Sequence, residues 1–374
     1  MVRLAPTAFA LLLATRVFGQ DVRFFYPLPR EADVVITKGL SYGPAEMELH
    51  VPRRSGGAPL AVLLFFSVTP PGVARHPIYD AWARAAAGSG LAAVLPNLRD
   101  PSVVTDFGSL LTYLSANATR LGLDATRIVV FAGSGNVSRA LPLVQDPAER
   151  RVAAAVLYYG VTDVPEFRRD LPLLFVRAGL DRPPVNRAIA DLMARAVAQN
   201  APVTLVNHPS GHHGFEIVDD DDATRAVIGR TLAFAKEATE PAYQEAVRRG
   251  VTEATAAAHV MTGNFQNAAA RYAQLVAARP EDPRLRLSYG EALLGSGQFA
   301  AACAEFEKLK GKSLGARDLG LPAARACLQK GDADAAIAWL ASIPRRFLPD
   351  DVQQDPVFAP LRSRPEFQAL FTRR

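Results

Sequence analysis

The feature that most constrains the fold of this chain is an alternation of short apolar runs with longer helical segments. The runs are Leu60–Phe66, Leu91–Leu95, Ile128–Phe131, Ala153–Tyr159, Leu173–Val176 and Val203–Val206. Such alternation is typical of βαβ units. Runs that are apolar on both faces suit a parallel sheet covered by helices on each side. We therefore predict an α/β domain with a doubly wound, mostly parallel sheet, whose site lies at the C-terminal ends of its strands.

The last third of the chain carries a different signal, a repeat of 34 residues. Gly263, Gly297 and Gly331 recur at this interval, each followed by an alanine (268, 302, 336) and then a large apolar residue (272, 306, 340). A period of 34 with a glycine turn between two helices resembles the tetratricopeptide repeat. The resemblance predicts an all-α solenoid over 241–374, ending in a capping helix or two. A helical bundle without repeats is the alternative.

Composition places the chain among globular proteins and argues against one class of partner. Hydrophobic residues make up 49% and charged residues 21% of 374 residues, enough for two folded domains. The formal net charge is +5, but its arginines are scattered. A nucleic-acid-binding protein would more often cluster its cations on one face or helix. We therefore expect no nucleic-acid partner.

The N-terminus has the pattern of a signal peptide. Arg3 precedes a mostly apolar segment, Leu4–Ala14, and small or branched residues stand where a peptidase would cut before Gln20. The run is too short to span a bilayer. We predict a signal peptide over 1–19, a first domain over 20–240, and export to the periplasm or the medium without a stable membrane anchor. A short N-terminal helix is the alternative.

Two cysteines, Cys303 and Cys327, are the only ones in the chain, and both lie in the repeat region. Export would allow them to form a disulfide. Cysteine is also commonly a small core residue. The sequence favours two buried free thiols and leaves the disulfide as the alternative.

The strongest chemical signal follows the apolar run Ile128–Phe131. The next residues, 132–136, are Ala-Gly-Ser-Gly-Asn, with a helical segment after them. A strand, a sharp turn around a central serine and a helix form the nucleophile elbow of α/β-hydrolases. In such a turn Ser134 is the nucleophile and the Gly135 backbone N–H is an oxyanion donor.

Residues from about 25 to 240 thus resemble the α/β-hydrolase superfamily, in particular its dienelactone-hydrolase-like and esterase branches. The usual elbow is Gly-x-Ser-x-Gly, and here Ala132 and Asn136 replace the outer glycines. Dienelactone hydrolases use a cysteine nucleophile, but this domain has no cysteine. The resemblance therefore implies a serine-type activity, with the altered elbow leaving room for a degenerate site.

Two later loops supply the remaining members of a triad in the family order serine, acid, histidine. Asp181 follows the run Leu173–Val176 in a Gly-Leu-Asp loop, and His213 begins a His-Gly-Phe turn after Val203–Val206. A neutral imidazole takes the serine proton, and a carboxylate orients the imidazole. We predict Asp181 as the acid and His213 as the base, with the adjacent His212 as the rival base.

The remaining site predictions depend more on the resemblance. The loop after Leu60–Phe66 implies Val68 as the second oxyanion donor. Tyr159 is predicted to shape a substrate pocket, and His76 to line its entrance, with ordinary packing as the alternative for each. The acidic run 219–222 suggests calcium, but we interpret it as a helix N-terminus. We expect no metal and no cofactor.

Two functional hypotheses follow. The first is a serine hydrolase of small-molecule carboxylic esters that acts through an acyl-enzyme, with repeats that bind a protein partner. The second is a scaffold whose hydrolase domain is degenerate and whose repeats carry the function. A serine peptidase resembling prolyl oligopeptidase has the same fold and triad order, and the sequence does not select peptide over ester.

Overall fold

The computed structural model describes residues 23–43, 45–53, 57–69 and 75–372. The predicted signal peptide, 1–19, lies outside them. The chain divides into two compact units, and the division falls at 248/249 within a helix, with 198–200 grouped with the second unit.

The first unit is built on a sheet of eight strands in the order β1-β2-β4-β3-β5-β6-β7-β8. The strands are β1 (Val34–Ser41), β2 (Glu46–Pro52), β3 (Leu60–Phe65), β4 (Ala92–Pro96), β5 (Leu123–Gly133), β6 (Val152–Tyr158), β7 (Leu173–Ala178) and β8 (Val203–His208). β2 pairs antiparallel with both β1 and β4, and β3 to β8 pair in parallel. A two-residue bridge joins Val68–Thr69 to Leu98–Arg99.

Helices cover both faces of this sheet. They are α1 (Ile78–Gly88), α2 (Val103–Leu121), α3 (Val137–Gln145), α4 (Pro183–Ala198), the one-turn α5 (Phe215–Val218) and α6 (Asp222–Glu237). Alternate residues of one strand enter different cores: Val62 and Leu64 pack with α2, α3 and α4, whereas Leu63 and Phe65 pack with α1 and α6. A strand with two buried faces must be apolar throughout, which explains the continuous runs. The predicted α/β fold class is confirmed.

The second unit is helical. Its helices are α7 (Pro241–Met261, which contains the division), α8 (Phe265–Ala278), α9 (Pro283–Gly295), α10 (Phe299–Glu307), α11 (Ala316–Gln329), α12 (Ala333–Ala341) and the short α13 (Pro365–Ala369). The repeat glycines have φ of 72°, 78° and 98°, conformations that favour glycine. The alanines at 268, 302 and 336 are fully buried. The 34-residue period therefore corresponds to repeated helix pairs, as predicted.

The capping region and the cysteines complete this unit. Phe358 lies in a 3₁₀-helix, Pro356–Leu361, and Phe367 lies in α13; both side chains are fully buried against the repeats. The expectation of two free thiols is wrong, because Cys303 of α10 and Cys327 of α11 form a disulfide. These two helices are in contact, and the two Cα atoms lie 4.9 Å apart, within bridging distance.

Of the residues that the structure describes, none forms a helix that combines the length and the apolar character needed to cross a membrane.

Candidate active site

Three predicted residues from three different loops meet at the C-terminal edge of the sheet. Ser134 follows β5, Asp181 follows β7, and His213 follows β8. Ser134 Oγ lies 2.8 Å from His213 Nε2, and His213 Nδ1 lies 2.7 Å from Asp181 Oδ2. Both distances are those of good hydrogen bonds. The chain thus forms a continuous hydroxyl–imidazole–carboxylate relay.

The turn that carries Ser134 has the strained geometry of a nucleophile elbow. Ser134 has φ of 55°, which non-glycine residues seldom adopt. The turn is a 3₁₀-helix, Ser134–Asn136, that leads directly into α3. Gly160, two residues after the neighbouring β6, leaves room for it, because a Cβ there would lie 2.2 Å from the Ser134 carbonyl oxygen. The elbow therefore depends on a glycine 26 residues away.

Asp181 is held in place through both carboxylate oxygens. Oδ2 faces His213, and Oδ1 accepts a hydrogen bond of 2.7 Å from the Arg182 backbone N–H. Burial acts to raise the pKa of Asp181, but the contacts with His213 and the Arg182 N–H outweigh it, and the pKa lies below its usual value. The carboxylate is therefore ionised at neutral pH. Gly179 lets its loop approach the histidine loop, since a Cβ would meet the Pro209 carbonyl oxygen at 2.2 Å.

The structure distinguishes between the two adjacent histidines. His213 faces Ser134, whereas the exposed His212 pairs with Asp219 through Nδ1 at 2.8 Å. His213 also packs against the Tyr159 ring, with ring centroids 4.6 Å apart. Because ionised Asp181 is an acceptor only, the hydrogen between them belongs to His213 Nδ1, and Nε2 is free to accept from the Ser134 hydroxyl.

The Tyr159 ring packs against His213, and the Tyr159 hydroxyl donates a hydrogen bond to a buried carboxyl group. Its O–H lies 2.9 and 3.0 Å from the two oxygens of Glu216, which also accepts from Trp82 Nε1 at 3.3 Å. Burial raises the pKa of Glu216 above its usual value. Tyr159 itself has φ of 33°. One part of Tyr159, the ring, thus contacts His213, while its hydroxyl is hydrogen-bonded in the protein interior.

Sequence reasoning missed Glu216. Its side chain is 1% exposed, although it follows the His-Gly-Phe turn by one residue. The signal was a lone acid within the apolar segment Phe215–Val218, since an acid in such a place is either a surface residue or a buried one with dedicated donors.

The two predicted oxyanion donors differ in their availability. Gly135 is the second residue of the turn that opens α3, where backbone N–H groups have no partner within the helix. The Val68 N–H, in contrast, donates to Asn136 Oδ1 at 3.0 Å. The Val68 N–H is therefore already engaged in this structure, and its role as the second oxyanion donor stays a prediction. The Asn136 side chain, at the outer elbow position, occupies the Val68 N–H. The glycine that is usual at this position has no side chain that could do so.

Asn136 is itself fixed by a second bond. Its Nδ2 donates to the Tyr79 hydroxyl at 3.1 Å, and Tyr79 is buried in α1. His76 lies just before α1, and its Nδ1 accepts from the Ile78 N–H at 3.2 Å. His76 thus contacts the first turn of α1, and its place at the pocket entrance stays a prediction.

The acidic run has the structural role that its sequence indicates. Asp221 precedes α6, and its side chain accepts from the Thr224 backbone N–H at 2.7 Å, as an N-cap residue does. Asp220 and Asp222 pair with Arg225 at the surface.

Comparison with known proteins identifies the repeats and gives distant structural neighbours. A tetratricopeptide-repeat family model matches residues 259–313. No curated protein sequence matches the chain. Similar solved structures include an esterase from Rhizomucor miehei (14% identity, 62% of this chain and 88% of that one, TM-score 0.48) and a bacterial heroin esterase (16%, 62% and 90%, 0.48). A third is MGS-M1, an α/β-hydrolase from a deep-sea metagenome (16%, 55% and 98%, 0.47).

Proposed function

We propose that the protein is a serine hydrolase of carboxylic esters that acts through an acyl-enzyme. The observation that carries the proposal is the unbroken relay from Ser134 through His213 to Asp181. A serine hydroxyl is a weak nucleophile at neutral pH, and a neutral imidazole within hydrogen-bond distance removes that obstacle. An α/β-hydrolase sheet with this elbow is the setting in which such a relay performs acyl transfer.

In the proposed mechanism each group has one step. Ser134 Oγ attacks the ester carbonyl while its proton passes to His213 Nε2. Asp181 then stabilises the imidazolium through Nδ1. The tetrahedral intermediate collapses as the imidazolium gives its proton to the departing alkoxide, which leaves as the alcohol. Water deprotonated by His213 then attacks the acyl-enzyme, and the acid leaves as Ser134 recovers its proton.

The Gly135 N–H supplies the first hydrogen bond to the oxyanion, from the start of α3. In this proposal the Val68 N–H supplies the second once the Asn136 carboxamide moves aside. Substrate carbonyl oxygen and Asn136 Oδ1 are then competitors for one donor. This competition makes modest activity on small activated esters the expected behaviour of the native chain.

The test is turnover of p-nitrophenyl acetate and butyrate together with covalent labelling by a fluorophosphonate. Ser134→Ala should abolish both. Ser115→Ala should leave both unchanged, because the Ser115 hydroxyl donates its hydrogen bond to the Leu111 carbonyl within α2. Turnover that persists in Ser134→Ala would reject the assignment. A matched peptide p-nitroanilide, assayed beside the esters, decides between ester and peptide substrates.

A scaffold function is the second candidate, and one observation favours it. The bond between Asn136 and the Val68 N–H occupies a group that an active oxyanion site needs. If the folded native chain neither turns over esters nor labels with fluorophosphonate, the hydrolase domain is degenerate, and the repeats carry the function.

For the repeats we propose a protein partner, since stacked helix pairs of this kind form extended binding surfaces. We also propose export. The leader-like segment motivates it, and the disulfide between Cys303 and Cys327 supports it, because disulfides persist in oxidising compartments. Fractionation of cells that express the full chain tests this: recovery of uncleaved protein in the cytoplasm alone would contradict it.

A further inference from the structure

A cluster of potential metal ligands lies outside the triad. Of all the residues that the structure describes, Glu48, His50 and Asp80 form the one group of three such side chains whose ligand atoms lie within 4.8 Å of one another. Glu48 and His50 are two apart on β2 and thus share one face of the strand. Asp80 lies in the first turn of α1, which packs against β2.

His50 is the observation that points to a ligand. Its side chain is 2% exposed, yet neither ring nitrogen has a hydrogen-bond partner among the described residues. Its Nε2 lies 3.6 Å from Glu48 Oε2, beyond hydrogen-bond distance. A buried polar group without a partner is costly, and an ion or a water is a common reason for it. This imidazole therefore presents an unused nitrogen to a carboxylate.

Two carboxylates and two basic side chains meet at the cluster, so a metal ion would compete with Arg75 and Lys38 for the same oxygens. Arg75 Nη2 contacts Glu48 Oε1 at 2.9 Å and Asp80 Oδ1 at 3.2 Å, so the two carboxylates already attract one positive group. Lys38 Nζ lies 3.8 Å from Glu48 Oε2. Because Arg75 uses the other oxygen of Glu48, Oε2 still faces His50. Arg75 and Lys38 repel an incoming cation, while the carboxylates attract it.

We propose that Glu48, His50 and Asp80 bind a divalent transition-metal ion of the Zn²⁺ type. One imidazole nitrogen with carboxylate oxygens suits Zn²⁺, whereas Mg²⁺ and Ca²⁺ prefer oxygen ligands alone. Ligands of a tetrahedral ion with bonds of about 2.0–2.2 Å lie roughly 3.3–3.5 Å apart. The 3.6 Å between His50 and Glu48 is close to that spacing, and half-exposed Asp80 opens the site to solvent.

Isothermal titration of the full chain with ZnCl₂, after treatment with a chelator, tests the proposal. The native chain should bind Zn²⁺ saturably and not bind Ca²⁺. His50→Gln should lose this binding, and Asp80→Asn should lose it too without disturbing the core, since Asp80 is half exposed. Arg75→Gln should bind Zn²⁺ several-fold more tightly, because a competing charge is gone.

The surface pair of His212 and Asp219 is the matched control, as it offers the same donor types. His212→Gln should keep the binding. A rise in melting temperature with Zn²⁺ that appears in the native chain and not in Asp80→Asn is the second readout. Absence of saturable Zn²⁺ binding by the native chain, or its survival in both His50→Gln and Asp80→Asn, would overturn the proposal. The readouts are binding and stability, so they are independent of the hydrolase activity.

Discussion

Replacement of Asn136 by alanine should raise ester hydrolysis. The Asn136 carboxamide accepts a hydrogen bond from the Val68 N–H at 3.0 Å, and in the proposed mechanism a substrate must displace it before that N–H can bind the oxyanion. A neutral hydrogen bond contributes about 0.5–1.5 kcal/mol net, which corresponds to about a 2- to 12-fold change in an equilibrium. We therefore expect kcat/KM for p-nitrophenyl butyrate to rise by about that factor in Asn136→Ala.

Alanine is the better replacement on structural grounds. Asn136 has helical backbone angles, φ of −68° and ψ of −24°, which alanine adopts readily. Glycine would restore the usual elbow residue, but it would add about 0.5–1 kcal/mol of conformational entropy cost at the start of α3. The loss of the bond to Tyr79 lowers the stability of either variant, so unfolding must be measured beside activity.

Asn136→Asp is the matched control, because it keeps an acceptor for the Val68 N–H and should bring no gain in kcat/KM. Initial rates and the rate of fluorophosphonate labelling, both normalised to active protein, provide the comparison. An unchanged kcat/KM in Asn136→Ala would refute the idea of competition. A fall of tenfold or more would refute it as well, since it would mean that the carboxamide itself serves the reaction.

Asp181, Glu216 and the disulfide each give a further prediction. Asp181→Asn should lower kcat by roughly 10³- to 10⁴-fold with little change in KM, because the His213 tautomer is no longer fixed, and steady-state kinetics will show it. Burial raises the pKa of Glu216 in the folded protein. The contribution of Glu216 to the free energy of unfolding is therefore complete below its pKa in the unfolded chain, and it is lost as the pH rises through its pKa in the folded protein. Urea unfolding of Glu216→Gln between about pH 4 and pH 8 should lack that decline, whereas an identical pH dependence in both proteins would contradict the burial argument. Cys303 and Cys327 are 24 residues apart, and reduction of their disulfide should lower the free energy of unfolding of the repeat unit by about 3–4 kcal/mol. The measurement is the denaturation midpoint with and without reductant, and equal midpoints would contradict the prediction.

Much of the fold was predictable because it is encoded locally. The strand β5 and the helix α3 are visible as an apolar run and a helical pattern, and the turn between them as small residues around Ser134. The repeat glycines are visible because a fixed spacing of 34 can be read without knowing any contact. Strand order was not predictable in this way, since nothing local tells that β4 lies between β2 and β3.

The site was predictable in its members and less so in their partners. The family order of serine, acid and histidine suggested Ser134, Asp181 and His213, and these three side chains lie together. The bond between Val68 and Asn136 joins residues 68 apart, and that between Trp82 and Glu216 joins residues 134 apart. Such pairings depend on which loops meet in three dimensions.

The recurrence of buried alanines at 268, 302 and 336 has a consequence for how the tail can change length. Because each helix pair presents the same small and large positions to the next, a whole pair can be inserted or removed and the new neighbours will still fit. A shift of one or two residues within a helix would instead turn a large side chain toward a place sized for a methyl group. The tail can therefore change length in steps of 34 residues, while the packing between neighbouring helix pairs stays the same.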